Sequence, residues 1–186
     1  MKEKIKVAII GCGGIARAAH IKSYQKLPDD FDVVAVCDIV ESKAQAFAEE
    51  FGVPAFYTDY RDVFGIEGLD AVDICTPNYL HSKIAVEALD RGLNVLCEKP
   101  DAINVKEAEK MKEAAQRSGK LLMVIRNNRF LAPSQYLKKD IGEGKFGKIY
   151  AGRCGWQRRR GIPGKGGWFT TKAQSGGGPL IDLGVH

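Results

Sequence analysis

Between Lys4 and Ile125, six short apolar runs alternate with segments of helical spacing, and that alternation leaves a chain few ways to fold. The runs are Lys4–Ile10, Phe31–Cys37, Ala55–Tyr57, Ala71–Cys75, Asn94–Cys97 and Leu121–Ile125, most of them rich in β-branched residues. Nearly continuous apolar strands belong in a sheet covered on both faces, and strands separated by helices join in parallel through right-handed crossovers. The intervening segments agree. Gly14–Leu27 stops before Pro28; Glu41–Phe51 carries Ala44, Phe47, Ala48 and Phe51 on one stripe and stops at Gly52; Val105–Arg117 aligns Ala108, Met111 and Ala115. Shorter helices are expected at Asp59–Phe64 and His81–Leu89. The fold expected is α/β, a doubly wound parallel sheet with helices on both faces.

At 186 residues, 45% apolar and 27% charged, the composition is that of a globular chain and excludes a disordered polymer, a collagen or a coiled coil. No apolar run approaches the about 20 residues of a membrane span, which excludes a multipass membrane protein and makes a membrane partner unexpected. Lys2, Lys4 and Lys6 before Val7–Ile10 imitate a signal peptide, but Gly11–Gly14 interrupt the apolar stretch and Arg17 follows, so a cytoplasmic protein is expected. The five cysteines form no C-x-x-C pair and sit among apolar residues, as reduced thiols do. With three histidines dispersed at positions 20, 81 and 186, no metal site is expected.

Directly after the first run, Gly11-Cys12-Gly13-Gly14-Ile15-Ala16 follows the pattern G-x-G-x-x-[GA] and opens a helix. Gly11 allows a tight turn, Gly13 lets backbone approach a pyrophosphate, and small Ala16 lets helix and strand pack closely. A pyrophosphate there would meet unpaired N–H groups and the positive end of the helix dipole. A glycine turn of this kind also occurs in unrelated α/β folds, and Asp38 narrows the choice. It ends the second run 22 residues after Ala16, near the about 20 expected of an acid that binds a ribose hydroxyl. Ile39 and Val40 follow, with no arginine to neutralise a 2′-phosphate, so NAD is favoured over NADP.

Thr76-Pro77-Asn78 and Glu98-Lys99-Pro100 both follow C-terminal ends of strands, the edge at which open parallel sheets bind ligands. By position alone Lys99 reads as a solvated loop lysine. Further on, Pro179 can start a helix through its fixed φ, which sets Asp182 and His186 four residues apart on one face. A carboxylate beside an imidazole fixes the tautomer and favours the imidazolium, the preparation of a general base. An ordinary helix bearing one Asp and one His has the same spacing.

The net charge of +5 resides in the last 36 residues, where Arg153, Arg158, Arg159, Arg160, Lys165 and Lys172 face a single acid, Asp182. Ten of the 21 glycines fall there too, marking a change of composition. Trp156, Trp168 and Phe169 among these bases imitate a nucleic-acid surface, but the cluster is short and interrupted by glycine. A loop over a small-molecule site or a solvated surface is expected, and no nucleic-acid partner. Ala132–Ile141 reads as a helix and Gly147–Gln157 as a strand that begins something new. The expected domains are therefore residues 1–126, which bind dinucleotide, and residues 127–186, a connecting helix with the start of a second unit.

Taken together and in order, GCGGIA, CDIV, CTPNYLH, CEKP and GGGPLIDLGVH resemble the Gfo/Idh/MocA family of nicotinamide-dependent oxidoreductases, which act chiefly on sugars, cyclitols and related polyols. The resemblance implies a Rossmann domain followed by an α+β substrate domain on an open, mostly antiparallel sheet, here incomplete. It places the EKP lysine at Lys99 and the D-x-x-x-H pair at Asp182 and His186. It implies that His186 removes the proton of a secondary hydroxyl, that Asp182 orients the imidazole, and that Lys99 holds and polarises the oxygen while NAD accepts the hydride. It also implies that Thr76, Pro77, Asn78 and His81 line the nicotinamide side, that Glu98 lies near the ribose, and that the Lys99–Pro100 bond is cis. Arg153 and the arginine triplet would then attract an acidic or phosphorylated sugar. Family members are much longer, so the resemblance implies a truncated product that binds dinucleotide but turns over poorly. Gly147–Gln157 would be left as an unpaired edge strand open to association, and a homo-oligomer is in keeping with that. The alternative function on this fold is a non-catalytic dinucleotide-binding or sensing regulator.

Overall fold

The structure is a computed structural model that describes residues 3–157, 159–161 and 164–186. Six strands, β1 (Ile5–Ile10), β2 (Phe31–Cys37), β3 (Phe56–Tyr57), β4 (Ala71–Ile74), β5 (Asn94–Cys97) and β6 (Leu122–Val124), form one sheet in the order β3-β2-β1-β4-β5-β6. Every neighbouring pair is parallel. This is the doubly wound order in which the direction of growth reverses between β1 and β4, leaving a crevice at the C-terminal edge of those two strands.

Alternation of side chains across a pleated strand explains why both faces of the sheet are apolar. Ala8 and Ile10 of β1 enter one core, with Ala35 and Cys37 of β2, while Ile9 and Val36 enter the other. The first core is closed by α4 (Asn78–Asp90) and α5 (Val105–Ser118) through Ile84, Ala88, Leu89 and Met111. The second is closed by Ala16 and Ile21 of the first helix and by Ala44, Phe47 and Ala48 of α2 (Glu41–Phe51). Capping follows the sequence: the Asn104 side chain accepts the Glu107 N–H at the start of α5, and α2 stops at Gly52, whose φ is +69°. A short α3 (Tyr60–Val63) is capped by Asp59 in the same way.

The first helix is not regular. Ala16–His20 is a π-helical turn that runs into α1 (Ile21–Gln25), with the Ile21 N–H donating to the Ala16 carbonyl. The extra residue in that turn allows Ala16, His20 and Ile21 all to face inward and be buried. Helix α4 also begins earlier than its apolar spacing suggests, at Asn78 with Pro77 as its cap, so the Thr76-Pro77-Asn78 turn is itself the helix entrance.

Beyond the sheet, α6 (Ala132–Gly142) forms as expected, followed by α7 (Lys172–Ser175) and α8 (Pro179–Asp182). Gly147–Gln157, read above as a strand, joins no ladder among the described residues. A strand persists by pairing its N–H and C=O groups in a ladder, and among the described residues none forms here. Arg158 of the basic cluster lies outside the described residues. Residues 172–186 return to the sheet's C-terminal edge. The buried Asn78 amide donates to the Ser175 carbonyl at 2.9 Å, and Gly176, at φ +86°, packs so closely that a Cβ would sit 2.7 Å from Ile103 Cα and O. Cys12, Cys37, Cys75 and Cys97 are buried and free, and Cys154 is free and exposed. No helix among the described residues is long and apolar enough to cross a membrane.

Candidate active site

A cavity of about 1590 Å³ opens between the C-terminal edge of the sheet and the returning segment. Its floor is the glycine turn. Gly11 has φ +103°, and a Cβ there would meet Cys75 C and O at 2.7 Å, so this position both needs glycine's conformation and packs against the end of β4. Gly13 and Gly14 are the opposite case: a Cβ on either meets nothing within 4 Å, so their backbone faces open space. Asp38 is clamped over the turn, its Oδ2 accepting the Cys12 N–H at 3.1 Å and its Oδ1 accepting the Val40 N–H at 3.0 Å. Each oxygen keeps a lone pair for a further donor.

Of the residues expected to meet a coenzyme, Gly11, Gly13, Gly14, Ile15 and Asp38 line the cavity, as do Thr76, Pro77, Asn78, Glu98 and Lys99. Cys12, Ala16 and His81 do not. The Cys12 thiol turns into the core toward the Cys37 carbonyl at 3.6 Å, and burial with the nearby Asp38 charge pushes its pKa up to about 12. Ala16 is the contact that lets the first helix pack against the sheet, fully buried. His81, expected on the nicotinamide side, is fully buried behind it. Its Nδ1 lies 2.8 Å from the Pro100 carbonyl and its Nε2 lies 2.9 Å from the Thr76 carbonyl, and the one N–H of a neutral ring answers one of the two. Burial holds its pKa below the usual histidine value.

The Lys99–Pro100 bond is cis. The Lys99 ammonium donates to Asp182 Oδ1 at 2.5 Å and to the Asp182 carbonyl at 3.2 Å. That pairing differs from the expected one. α8 ends at Asp182 and the chain continues as a turn, so Asp182 and His186 do not share a continuous helical face, and no hydrogen bond between them occurs among the described residues. His186 nevertheless lines the same cavity, with its Nδ1 buried and without a partner. Burial and the positive charge of Lys99 hold its pKa below the usual value, outweighing Asp182, so the ring is neutral near pH 7.

A second cluster carries no motif and was not singled out in the sequence. His20 is buried, with Nδ1 at 2.7 Å from Asp73 Oδ2 and Nε2 at 3.0 Å from Glu98 Oε1. Tyr24 donates to the same Asp73 oxygen at 3.0 Å, and the Lys99 N–H donates to Glu98 Oε2 at 2.9 Å. Burial pulls the His20 pKa down, but hydrogen bonds to Asp73 and Glu98 outweigh it and hold the group at about 9. His20, Asp73 and Cys75 place potential ligand atoms within 4.8 Å of one another, and each is engaged in a hydrogen bond of this network.

The residues present fit a dinucleotide. The turn offers open backbone for a diphosphate, and Asp38 offers acceptors for a ribose. Thr76 is a cavity-lining residue whose Oγ1 is buried with no protein partner, a state that costs about 1–3 kcal/mol.

Comparison with known proteins agrees with this geometry. A sequence profile described as "Oxidoreductase family, NAD-binding Rossmann fold" matches residues 5–126, and one for the GFO/IDH/MocA C-terminal domain matches residues 134–186. The chain is 39% identical over 182 residues to the D-glucoside 3-dehydrogenase of Escherichia coli, covering 98% of this chain and 51% of that protein. It is 33% identical over 183 residues to the glucose-6-phosphate 3-dehydrogenase of Bacillus subtilis, covering 97% and 51%. A levoglucosan dehydrogenase solved in complex with NADH and levoglucosan superposes with a TM-score of 0.87 at 28% identity, over 97% of this chain and 51% of that one. The chain thus spans about half the length of the curated relatives it matches. With both profiles matched in order and the glycine turn, Asp38 and the cis EKP loop gathered on one sheet edge, the chain belongs to the Gfo/Idh/MocA oxidoreductase family and carries its NAD-binding Rossmann fold.

Proposed function

We propose that this chain is the dinucleotide-binding half, with the start of the substrate half, of an NAD-dependent dehydrogenase that oxidises a secondary hydroxyl of a sugar, cyclitol or related polyol. One observation carries the reading: the Lys99 ammonium and the unpartnered His186 imidazole line the same cavity as the open glycine turn and Asp38. NAD, when bound, supplies the acceptor for the carbinol hydrogen and its electron pair. Gly13 and Gly14 would hold its diphosphate, Asp38 a ribose and Thr76 the nicotinamide end. Ile39 and Val40 beside Asp38 offer no partner for a 2′-phosphate, which favours NAD over NADP.

His186, which lines the cavity, takes the hydroxyl proton on its ring, a role that its lowered pKa favours. Lys99 offsets the negative charge that develops on the oxygen. Asp182 keeps the ammonium directed into the cavity, which departs from the orienting role toward His186 that the resemblance implied. Lys172 on the cavity wall, with Arg153, Arg159 and Arg160 earlier in the same basic stretch of sequence, suits an acidic or phosphorylated sugar, and a relative that acts on glucose 6-phosphate supports that class. We further infer a domain boundary at residues 126/127, supported by the end of the Rossmann profile, a cytoplasmic location, supported by four buried free thiols, and self-association through the exposed apolar side chains of α6 and residues 146–150.

The test is fluorescence titration with NADH, followed by absorbance assays of NAD reduction on a panel of neutral polyols, uronates and sugar phosphates. Binding with weak turnover that disappears in His186→Ala is expected. Turnover that survives the substitution would refute the assignment of the base, and binding with no turnover on any substrate would favour the sensing function.

A further inference from the structure

The buried cluster around His20 has no part in the roles assigned so far, yet it touches the EKP loop at its first residue. Glu98 projects from the end of β5 to the cavity wall, and both of its oxygens are already held: Oε1 faces His20 Nε2 at 3.0 Å and Oε2 accepts the Lys99 backbone N–H at 2.9 Å. On its other side His20 Nδ1 meets Asp73 Oδ2 at 2.7 Å, and Asp73 is fully buried. A neutral imidazole carries one N–H, and each carboxylate oxygen it faces is an acceptor only. Two carboxylates on two ring nitrogens are both answered by N–H groups only when the ring is the imidazolium. The π-helical turn Ala16–His20 is the local device that brings this ring inward while keeping Ala16 against the sheet, and such turns recur at functional sites.

We propose that His20 is a positioning residue for the coenzyme: as an imidazolium bridging Asp73 and Glu98, it fixes the Glu98 carboxylate on the cavity wall and, through the Lys99 N–H on that carboxylate, the direction of the EKP loop. The proposal rests on the reading that the cavity takes a nicotinamide dinucleotide. Its remaining lone pairs make Glu98 an acceptor for a coenzyme hydroxyl, held in place without a search among rotamers. The groups that face the cluster are Asp73 on β4, Tyr24 on α1, Cys75 and Cys97 at the strand ends, and Glu98 with Lys99 on the loop. Burial pushes both cysteine thiols and the Tyr24 hydroxyl upward, so they stay neutral through the range in which His20, held at about 9, gives up its proton. The loss of one N–H then leaves a carboxylate unanswered.

NMR of the imidazole nitrogens in the wild-type protein tests the charge state directly. Both ring nitrogens of His20 are expected to be protonated at neutral pH and to titrate near 9; a neutral tautomer at pH 7 would overturn the proposal. NADH titration of wild type, His20→Gln, Glu98→Gln and the double variant tests the consequence. Each single change is expected to weaken binding about tenfold, the worth of one charge-assisted hydrogen bond, and the double variant to bind no worse than Glu98→Gln. Unchanged affinity in His20→Gln, or losses that simply add, would overturn it, because a residue acting elsewhere in the fold does not act through Glu98. Should His20→Gln fail to fold, the wild-type pH profile decides: NADH affinity falls about tenfold as His20 deprotonates, and a flat profile refutes. If the wild type binds no NADH at all, the dinucleotide reading fails, while the NMR titration still judges the bridge.

Discussion

Gly11 and Gly13 stand two residues apart in one motif, and the structure gives them different work, so the same substitution should fail in two different ways. Gly11→Ala forces an L-residue to φ +103° and drives its Cβ to within 2.7 Å of the Cys75 carbonyl group, which is backbone and has nowhere to go. The dihedral strain costs about 1–3 kcal/mol and the overpacking about 1–3 kcal/mol more. A total of about 4 kcal/mol lowers Tm by about 10 °C in a chain of this size. Gly13→Ala places a Cβ where nothing lies within 4 Å, at a φ that is not positive. Its stability should stay within about 0.5 kcal/mol of wild type, while NADH affinity drops about tenfold or more because the methyl group occupies the space a diphosphate needs. Thermal unfolding by circular dichroism and NADH fluorescence titration on both variants give the comparison. A Gly11→Ala protein with wild-type Tm would refute the packing argument; a Gly13→Ala protein with wild-type affinity would refute the placement of the diphosphate.

Stability should fall as pH rises from about 7 to 8.5. His20 is held above its unfolded value, so its stabilisation is complete below about 6.5 and is lost as pH climbs through about 9. One proton gives a slope of at most about 1.4 kcal/mol per pH unit, or about 2 kcal/mol over that interval. The thiols of Cys12 and Cys37, pushed up to about 12, add in the same direction only above about 9, and His81 and His186, held low, weaken the fold only as pH falls below about 6.5. Urea unfolding across that range checks it, and a flat curve is the adverse result. Gly176→Ala, whose Cβ would strike Ile103 backbone at 2.7 Å, should detach residues 172–186 while leaving the sheet folded, seen as rapid proteolysis near residue 170 with NADH binding retained. Lys99→Met should leave NADH affinity within about threefold of wild type and reduce any turnover at least about 100-fold, as removal of a charge-stabilising group does; retained turnover counts against its role.

The sheet was legible because each strand carries its own evidence. Val7–Ile10 and Val34–Cys37 are apolar at every position, which only a strand covered on both faces tolerates, and the helices between them fix the parallel direction. What pattern could not supply was anything that depends on a partner distant in sequence. Gly147–Gln157 has the composition of a strand, but strand character is completed by a neighbour, and no ladder forms there among the described residues. The start of α4 was set three residues late because Thr76-Pro77-Asn78 reads as a turn; Pro77 with φ −59° is equally suited to cap a helix, and the apolar stripe begins only after the polar entrance.

The site divides along the same line. The glycine turn and Asp38 are local and were readable at once, whereas His20 meets partners 53 and 78 residues away, and only the winding of β4 and β5 beside β1 brings them together. Spacing also misassigned the partner of Asp182. Four residues along a helix made His186 its neighbour on paper, but helix α8 ends at Asp182, and Lys99, 83 residues away, arrives from the EKP loop. A carboxylate within reach of an ammonium and of a neutral imidazole goes to the ammonium, because only the ammonium adds the attraction of an opposite charge. That choice has a chemical consequence. Asp182 is committed to Lys99 and His186 Nδ1 is buried without a hydrogen-bond partner, so a carboxylate that orients the ring, as the resemblance implies, is not found among the described residues.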